Sequence, residues 1–456
     1  MDSIGSMGLQ ERAERAPERI NLVSALAVWT RVSIAGIGGP AVQIATMHRL
    51  LVDGKHWISE KRLYHALSCC IALPGPETQQ LAIYVGWLAH RTLGAMIAGS
   101  LFILPGMICM IALSFGYVTG ADSQIGHSVF FGVRPAILAI MTQAVLRFGK
   151  HVILGRSLVA VAALAFVGAF VKISFPVIVL TAGIVGACSG LPGPRSPNRT
   201  PLTDQKQNEL PDHARPSLAR FFRSLTMGLI LWLAPMLALL MLFGTQNVYA
   251  QIAMVFSKVA LMAVGGDYAV IAYAAQQVVD VYHWLSAAQI QDGVALGEMV
   301  PGTIMIVTQF LGFLVAYRDP GTLPPLLAGT FGGFLATWMT FAPCFLFILV
   351  MAPFIEYLRR NALLSNALYA VTAAAVGMIA NLTAWFGIRT LFHHVGQVHY
   401  GWIAFDVPIL GSLDPWAFVL FIVATIAILR FKISAVSILC ASCAISLTVF
   451  LFARAG

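Results

Sequence analysis

The sequence predicts an all-α polytopic membrane protein. It is built of two inverted-topology repeats with broken or re-entrant helices, joined by one connecting transmembrane helix. Three observations predict this. Of 456 residues, 59% are hydrophobic and only 10% charged, against about 25% charged in a typical soluble protein. Mean hydropathy is +0.82, so too few charges remain to solvate a globular surface. The second half repeats the first at a fixed offset of 227, and apolar runs in both halves are cut by Gly and Pro at matching positions.

The net charge of +9 fits Lys and Arg gathered in cytoplasmic loops; no basic motif points to nucleic acid. All seven cysteines fall in apolar runs, which argues against a disulfide framework. Cys440-x-x-Cys443 has redox spacing but no charged neighbour, so it reads as packing. The first 20 residues alternate acids and bases, from Glu11 and Arg12 to Glu18 and Arg19, without an apolar core. They read as a cytoplasmic N-terminal segment and not as a signal peptide.

Apolar segments run over 22–52, 63–90, 93–118, 127–148, 152–171 and 173–190, which with residue 21 make the first repeat, 21–190. A polar linker follows at 191–220, rich in Pro, Asn, Asp and Arg. The connecting helix is expected over 221–245 and the second repeat over 246–456, with segments at 251–279, 290–316, 324–354, 366–391, 413–430 and 433–453. A straight span needs about 20 apolar residues. Segment 22–52 is too long and is cut at Gly38-Gly39-Pro40; segment 63–90 is cut at Pro74-Gly75-Pro76. Each piece has about 11–15 residues, roughly 16–22 Å as helix, enough to reach the bilayer centre.

At the offset of 227, Arg31 maps to Lys258, Gly38-Gly39 to Gly265-Gly266, and Val52-Asp53 to Val279-Asp280. His56-Trp57-x-Ser59 maps to His283-Trp284-x-Ser286, and Pro74-Gly75 to Pro301-Gly302. Lys172-Ile173-Ser174 returns as Lys432-Ile433-Ser434 after a shift in register. This is one duplicated unit. The linker carries Arg195, Arg199, Lys206, Arg215 and Arg220 and is expected in the cytoplasm, whereas 119–126, 244–250 and 280–292 lack Lys and Arg and are expected outside. The loop 48–62, with Arg49, Lys55, Lys61 and Arg62, obeys the rule only if 22–52 is a re-entrant hairpin. One connecting helix between such repeats turns the second copy over, and interrupted segments at matching places mark the site of a secondary transporter.

Helix starts at Pro40 and Pro76, and their counterparts after Gly265-Gly266 and Pro301-Gly302, would present unpaired N–H groups and positive dipole ends to an anion. Arg31 and Lys258 add symmetric positive charge inside apolar segments, where charge by default suggests function. Gln43, Thr78, Gln79 and Gln80 can donate to oxyanion oxygens, though each also suits a structural role. Glu77, Asp267 and Glu298 are candidates for coupling. Glu77 equally suits a helix-capping carboxylate, and Asp267 would oppose an anion unless protonated or paired.

No cofactor is expected. His393, His394 and His399 cluster without a clear metal-ligand spacing. No Walker motif, nucleophile elbow or His-Glu-x-x-His pattern is present, and no enzymatic activity is expected. A membrane oxidoreductase is the remote alternative, resting on Cys440-x-x-Cys443 alone.

At Gly38-Gly39-Pro40-Ala41-x-Gln43-Ile44-Ala45, Leu73-Pro74-Gly75-Pro76-Glu77-x-Gln79-Gln80-Leu81-Ala82-x-Tyr84-x-Gly86-Trp87 and Phe102-x-Leu104-Pro105, the chain resembles the chromate ion transporter family in its long, two-domain form. The resemblance continues at Gly265-Gly266-x-Tyr268-Ala269-Val270, Gly297-Glu298-x-x-Pro301-Gly302 and Thr340-Phe341-x-Pro343-x-Phe345. It implies export of chromate across the bacterial inner membrane, conferring resistance, driven by the membrane potential or proton gradient. Sulfate, the tetrahedral look-alike, stays open as substrate, and a second copy of the chain stays open as partner beside the lipid bilayer. The chain departs from the family pattern at Asp267, at Thr303 where a second proline is usual, and at Gly106 and Cys344 where Ser is common. The re-entrant reading predicts that a cysteine at position 54 reacts with a membrane-impermeant thiol reagent from the cytoplasmic side; labelling from outside would place that loop on the other face.

Overall fold

The computed structural model describes residues 21–35, 40–70, 73–120, 123–152, 155–188, 217–263, 267–354, 362–400 and 403–455. Gly38, Gly39, Gly265, Gly266 and nearly all of the linker lie outside them. Helices follow the apolar segments closely. In the first repeat they are α1 (Leu22–Ile34), α2 (Pro40–Met47), α3 (Glu60–Cys70), α4 (Glu77–Gly120), α5 (Gln124–Val152), α6 (Arg156–Phe170) and α7 (Phe175–Cys188). Next come α8 (Leu218–Phe243), α9 (Val248–Leu261), α10 (Asp267–Ala275), α11 (Ala287–Met299) and α12 (Val307–Arg318), the last preceded by a 3-10 turn, Ile304–Ile306. The chain ends with α13 (Pro325–Met351), α14 (Ala362–Leu391), α15 (Pro415–Phe431) and α16 (Ala435–Ala455).

Both broken segments are broken where the glycines and prolines stand. Helix resumes at Pro40, whose missing N–H costs nothing at a first helical position. α3 ends at Cys70 and helix restarts at Glu77, directly after Pro76. Gly75 has φ of 124° and Gly302 has 101°, a region that residues with a Cβ rarely enter. α4 is two limbs, 77–89 and 92–120, divided by a turn at His90 and Arg91.

The duplication extends to single torsions and hydrogen bonds. His56 and His283, at the offset of 227, both have φ of 52°. α2 and α10 each run into a π-helical turn, His48–Gly54 and Gln276–Val281. Each turn is closed by a tryptophan amide: Trp57 N–H donates to Leu51 O at 2.8 Å, and Trp284 N–H to Val278 O at 2.8 Å. Lys172 and Lys432 have φ of 61° and 54°. A side chain in that conformation costs roughly 1–2 kcal/mol, so the shared torsion marks a shared turn.

Among the described residues five helices are long and apolar enough to cross a membrane: Glu77–Gly120 with its turn, Ser128–Lys150, Leu218–Phe243, Pro325–Met351 and Asn366–Leu391. α8 is largely apolar, with Trp232 its one buried residue, as a lipid-facing helix would be, and docks on α13 through Trp338 Nε1–H donating to Leu231 O at 3.0 Å. One addition to the all-α expectation is a hairpin of β1 (Val395–Tyr400) and β2 (Ile403–Pro408), antiparallel with Val395 opposite Pro408. It occupies the loop that carries His393, His394 and His399.

Small residues let the two limbs after each break press together. Gly86 and Gly94 meet backbone to backbone in the first repeat. In the second, a Cβ on Gly312 would fall 2.7 Å from Gly332 O and 2.5 Å from Ala336 Cβ. Close backbone approach at small residues is how helices associate where no water drives them together. Gly312→Leu is expected to lower thermal stability in detergent by about 1–3 kcal/mol. Gly116→Ala, whose methyl meets nothing within 4 Å, is expected to raise it by up to about 1 kcal/mol.

Candidate functional site

The breaks of the two repeats interlock. Gly75 N–H, at the first Pro-Gly-Pro, donates to Ala263 O at 3.0 Å, just past the end of α9. In the opposite sense, Gln43 of α2 donates its amide to Gly302 O at the second Pro-Gly. The tips also rest on the opposite repeat's long helix. A Cβ on Gly75 would lie 2.7 Å from Cys344 Sγ of α13 and 2.6 Å from Gln80 Nε2. Gly106 of α4 lies against Pro301 O, and a Cβ on Gly302 would lie 3.3 Å from Phe102 O. The two Pro-Gly tips are therefore tied into one junction with Ala263, which follows α9, and Gln43 of α2.

The junction is polar and buried. Glu77, Thr78, Gln79 and Gln80 open α4 with at most 8% of their surface exposed. Gln80 Nε2 donates to Pro74 O, holding its own break. Both amide atoms of Gln79, and Oε1 of Gln80, are buried without a hydrogen-bond partner. An unpaired buried polar group costs about 1–3 kcal/mol, so amides kept in that state are candidates for a ligand. Thr303 donates to Asp267 and accepts from Met305 N at 3.2 Å, capping the turn after the second break. Tyr268 donates to Glu298.

Glu77, Asp267 and Glu298 are all buried, and Asp267 is within electrostatic range of the other two. Among the described residues no salt bridge reaches any of them. Arg31 and Lys258, expected in the site, are instead exposed in the last turns of α1 and α9. Pro40, Pro74, Pro76 and Pro301 frame the breaks as expected.

The four departures from the family pattern fall together. Asp267 and Thr303 are hydrogen-bonded to each other, Gly106 packs on Pro301, and Cys344 packs on Gly75.

A second polar cluster was missed by the sequence reading. Asp292 of α11, almost fully buried, accepts from Arg134 of α5 at 2.9 Å and 3.1 Å and from Tyr117 of α4 at 2.9 Å. It clamps the repeats together. Both charges lie in apolar segments, so the signal that singled out Arg31 was present at Arg134 and Asp292 as well. Among the described residues no group of three or more His, Cys, Asp or Glu is placed to hold an ion. His393 faces Asp414 at 3.6 Å.

An apolar multi-pass helical chain whose interrupted helices meet at a buried polar junction has the make-up of a membrane transporter. The chromate transporter profile matches residues 23–187 and 250–447; the chain belongs to the chromate transporter family. It is 28% identical over 365 residues to the chromate transport protein of Cupriavidus metallidurans, covering 80% of this chain and 82% of that one. It is also 28% identical over 375 residues to the chromate transport protein of Pseudomonas aeruginosa, covering 81% and 82%. No solved structure matches.

Thr303→Val removes both hydrogen bonds at the second break and is expected to lower stability by about 1–3 kcal/mol, while Thr303→Ser retains it. Equal thermal midpoints for the two variants in detergent would show that the Asp267–Thr303 contact does not hold the tip.

Proposed function

We propose that the protein is a secondary active transporter that exports chromate from the cytoplasm across the bacterial inner membrane and so confers resistance. The observation that carries this is the junction of the two Pro-Gly tips with the unpaired amide of Gln79 buried in it. Neutral amides and backbone N–H groups suit a tetrahedral oxyanion that must also be released. Gly38, Gly39, Pro40, Gln43, Pro74, Gly75, Pro76, Gln79, Gln80, Gly265, Gly266, Pro301 and Gly302 form the binding region. Arg31 and Lys258 act on it through their potential, an effect that salt screens.

In this reading the second repeat is inverted relative to the first, and the linker is cytoplasmic. Outward movement of a dianion runs with an inside-negative potential, worth about 2.3 kcal/mol per charge per 100 mV. For two charges that is about 4.6 kcal/mol, enough for roughly a thousandfold gradient. A dianion and three ionised carboxylates cannot share one low-dielectric junction without a cation. Glu77, Asp267 and Glu298 are therefore the groups that exchange protons as the anion enters and leaves.

The test is uptake of labelled chromate into inside-out vesicles, with sulfate as competitor. Wild-type vesicles are expected to accumulate chromate in response to an imposed potential. Gln79→Leu is expected to cut uptake at least about tenfold while leaving stability unchanged or raised, because an apolar isostere removes an unsatisfied group. No uptake above empty vesicles sinks the transport reading. Sulfate uptake that chromate fails to inhibit assigns the site to sulfate instead.

A further inference from the structure

The two repeats match in backbone but not in how their hairpins are covered. In the second repeat, Lys172 Nζ, on the turn between α6 and α7, lies 3.9 Å from Asp280 of the π-helical turn after α10. Gln276, in the same turn, accepts from Phe175 N at 3.3 Å and donates to Ile173 O at 3.5 Å. The Phe175 and Tyr273 rings are 5.0 Å apart. α10 also packs on α14, and Ala269 is fully buried. A cavity with Lys172, Asp280 and Ala272 in its wall lies there.

The same parts exist in the first repeat but are apart. Asp53 is the counterpart of Asp280 at the offset of 227, and Lys432 is the counterpart of Lys172 in the second Lys-Ile-Ser, on a turn of the same left-handed torsion. By symmetry Lys432 should meet Asp53. Instead the Asp53 side chain, 59% exposed, lies 3.2 Å from His48 of its own π-helical turn, and Lys432, exposed like Lys172, forms no ion pair with it among the described residues. Val42, the counterpart of fully buried Ala269, is 41% exposed. Among the described residues, α2 has no packing on α5 comparable to that of α10 on α14.

We infer that Lys172–Asp280 and Lys432–Asp53 are two symmetry-related latches that close opposite faces of the transporter in turn, the first closed and the second open in this structure. The argument is the duplication itself: both halves of both pairs are present in sequence and backbone, yet one pair is made and the other is not. A repeat protein with a single transport junction needs its two coverings to alternate, since both open at once would leak and both permanently closed would block. The open face carries Arg49, Lys55, Lys61 and Arg62 with Arg430 and Lys432, the charge signature of the cytoplasmic side. The junction is therefore held open toward the compartment an exporter loads from. These four are positioning residues; none touches the anion.

The inference rests on the transporter reading and is independent of which anion is carried. It is tested on the full chain in membrane vesicles, with the native cysteines replaced by alanine and cysteine pairs introduced as K172C/D280C or D53C/K432C, or all four together. A short bifunctional thiol reagent is expected to bridge either pair alone, but in the four-cysteine chain only one pair per molecule. Adding D280N to the D53C/K432C chain is expected to speed its bridging at least about fivefold, since weakening one state populates the other. Failure of 53 and 432 to bridge in a folded chain, both bridges in one molecule, or no effect of D280N would overturn the latch. In the unmodified background, D53N and K432Q are each expected to lower flux of the transported oxyanion at least about fivefold, with D53K/K432D restoring it. Surface charges without this role change little, so wild-type flux in both single variants also overturns the proposal. Chromate uptake itself is decided by the vesicle assay above. Alternating bridges in a chain that does not carry chromate would leave the latch standing and remove only the substrate.

Discussion

A helix broken inside an apolar protein leaves backbone N–H and C=O groups that lipid cannot satisfy. Each unpaired group costs several kcal/mol in hydrocarbon. The first repeat's Gly75 N–H is satisfied by Ala263 O of the second, and the second repeat's Gly302 C=O by Gln43 of the first. Neither repeat can complete its own breaks in this way, so the two copies depend on each other. The close packing at Gly86–Gly94 and Gly312–Gly332, and the tips seated on Gly106 and Cys344, bring the breaks near enough for those bonds to form.

That constraint also explains the chemistry of the junction. The polar groups crowded around the tips are there first to serve the broken backbone: Gln80 on Pro74 O, Thr303 on the turn at Met305, Gln43 on Gly302 O. What is left over, the amide of Gln79 and one oxygen of Gln80, is available to a ligand. The carboxylates of Glu77, Asp267 and Glu298 share the same space without a basic partner among the described residues. A junction made of amides, backbone and acids differs from the cationic pocket that Arg31 and Lys258 suggested.

Symmetry of sequence does not carry over into symmetry of packing. The backbone of His56 repeats at His283 and that of Lys172 at Lys432, so each unit folds by the same local rules. Yet Ala269 is buried where Val42 is exposed, and Asp280 meets a lysine where Asp53 meets a histidine of its own hairpin. Two like units around one junction cannot both be closed if the junction is to reach either face.

Most of the helical architecture was legible in the chain. Glycine and proline interrupt apolar runs for reasons of torsion and missing donors, which act locally. The restart at Pro40, the restart expected at Pro76 and found one residue on at Glu77, and the repeat at 227 could therefore be read directly. Thr303, read as a departure from a family pattern, became intelligible only beside Asp267, 36 residues away. Arg134 and Asp292 were equally conspicuous as charges in apolar runs, but a pair 158 residues apart has no local signature. The β-hairpin after α14 was missed because its alternation is short and sits among loop residues. Residue types and spacing set which segments are helical, where they break and that the unit occurs twice, since these follow from short-range sterics and hydration. Which break satisfies which, whether a charge is buried or exposed, and which latch is made depend on contacts between distant segments, and those exist only once the two repeats are packed together.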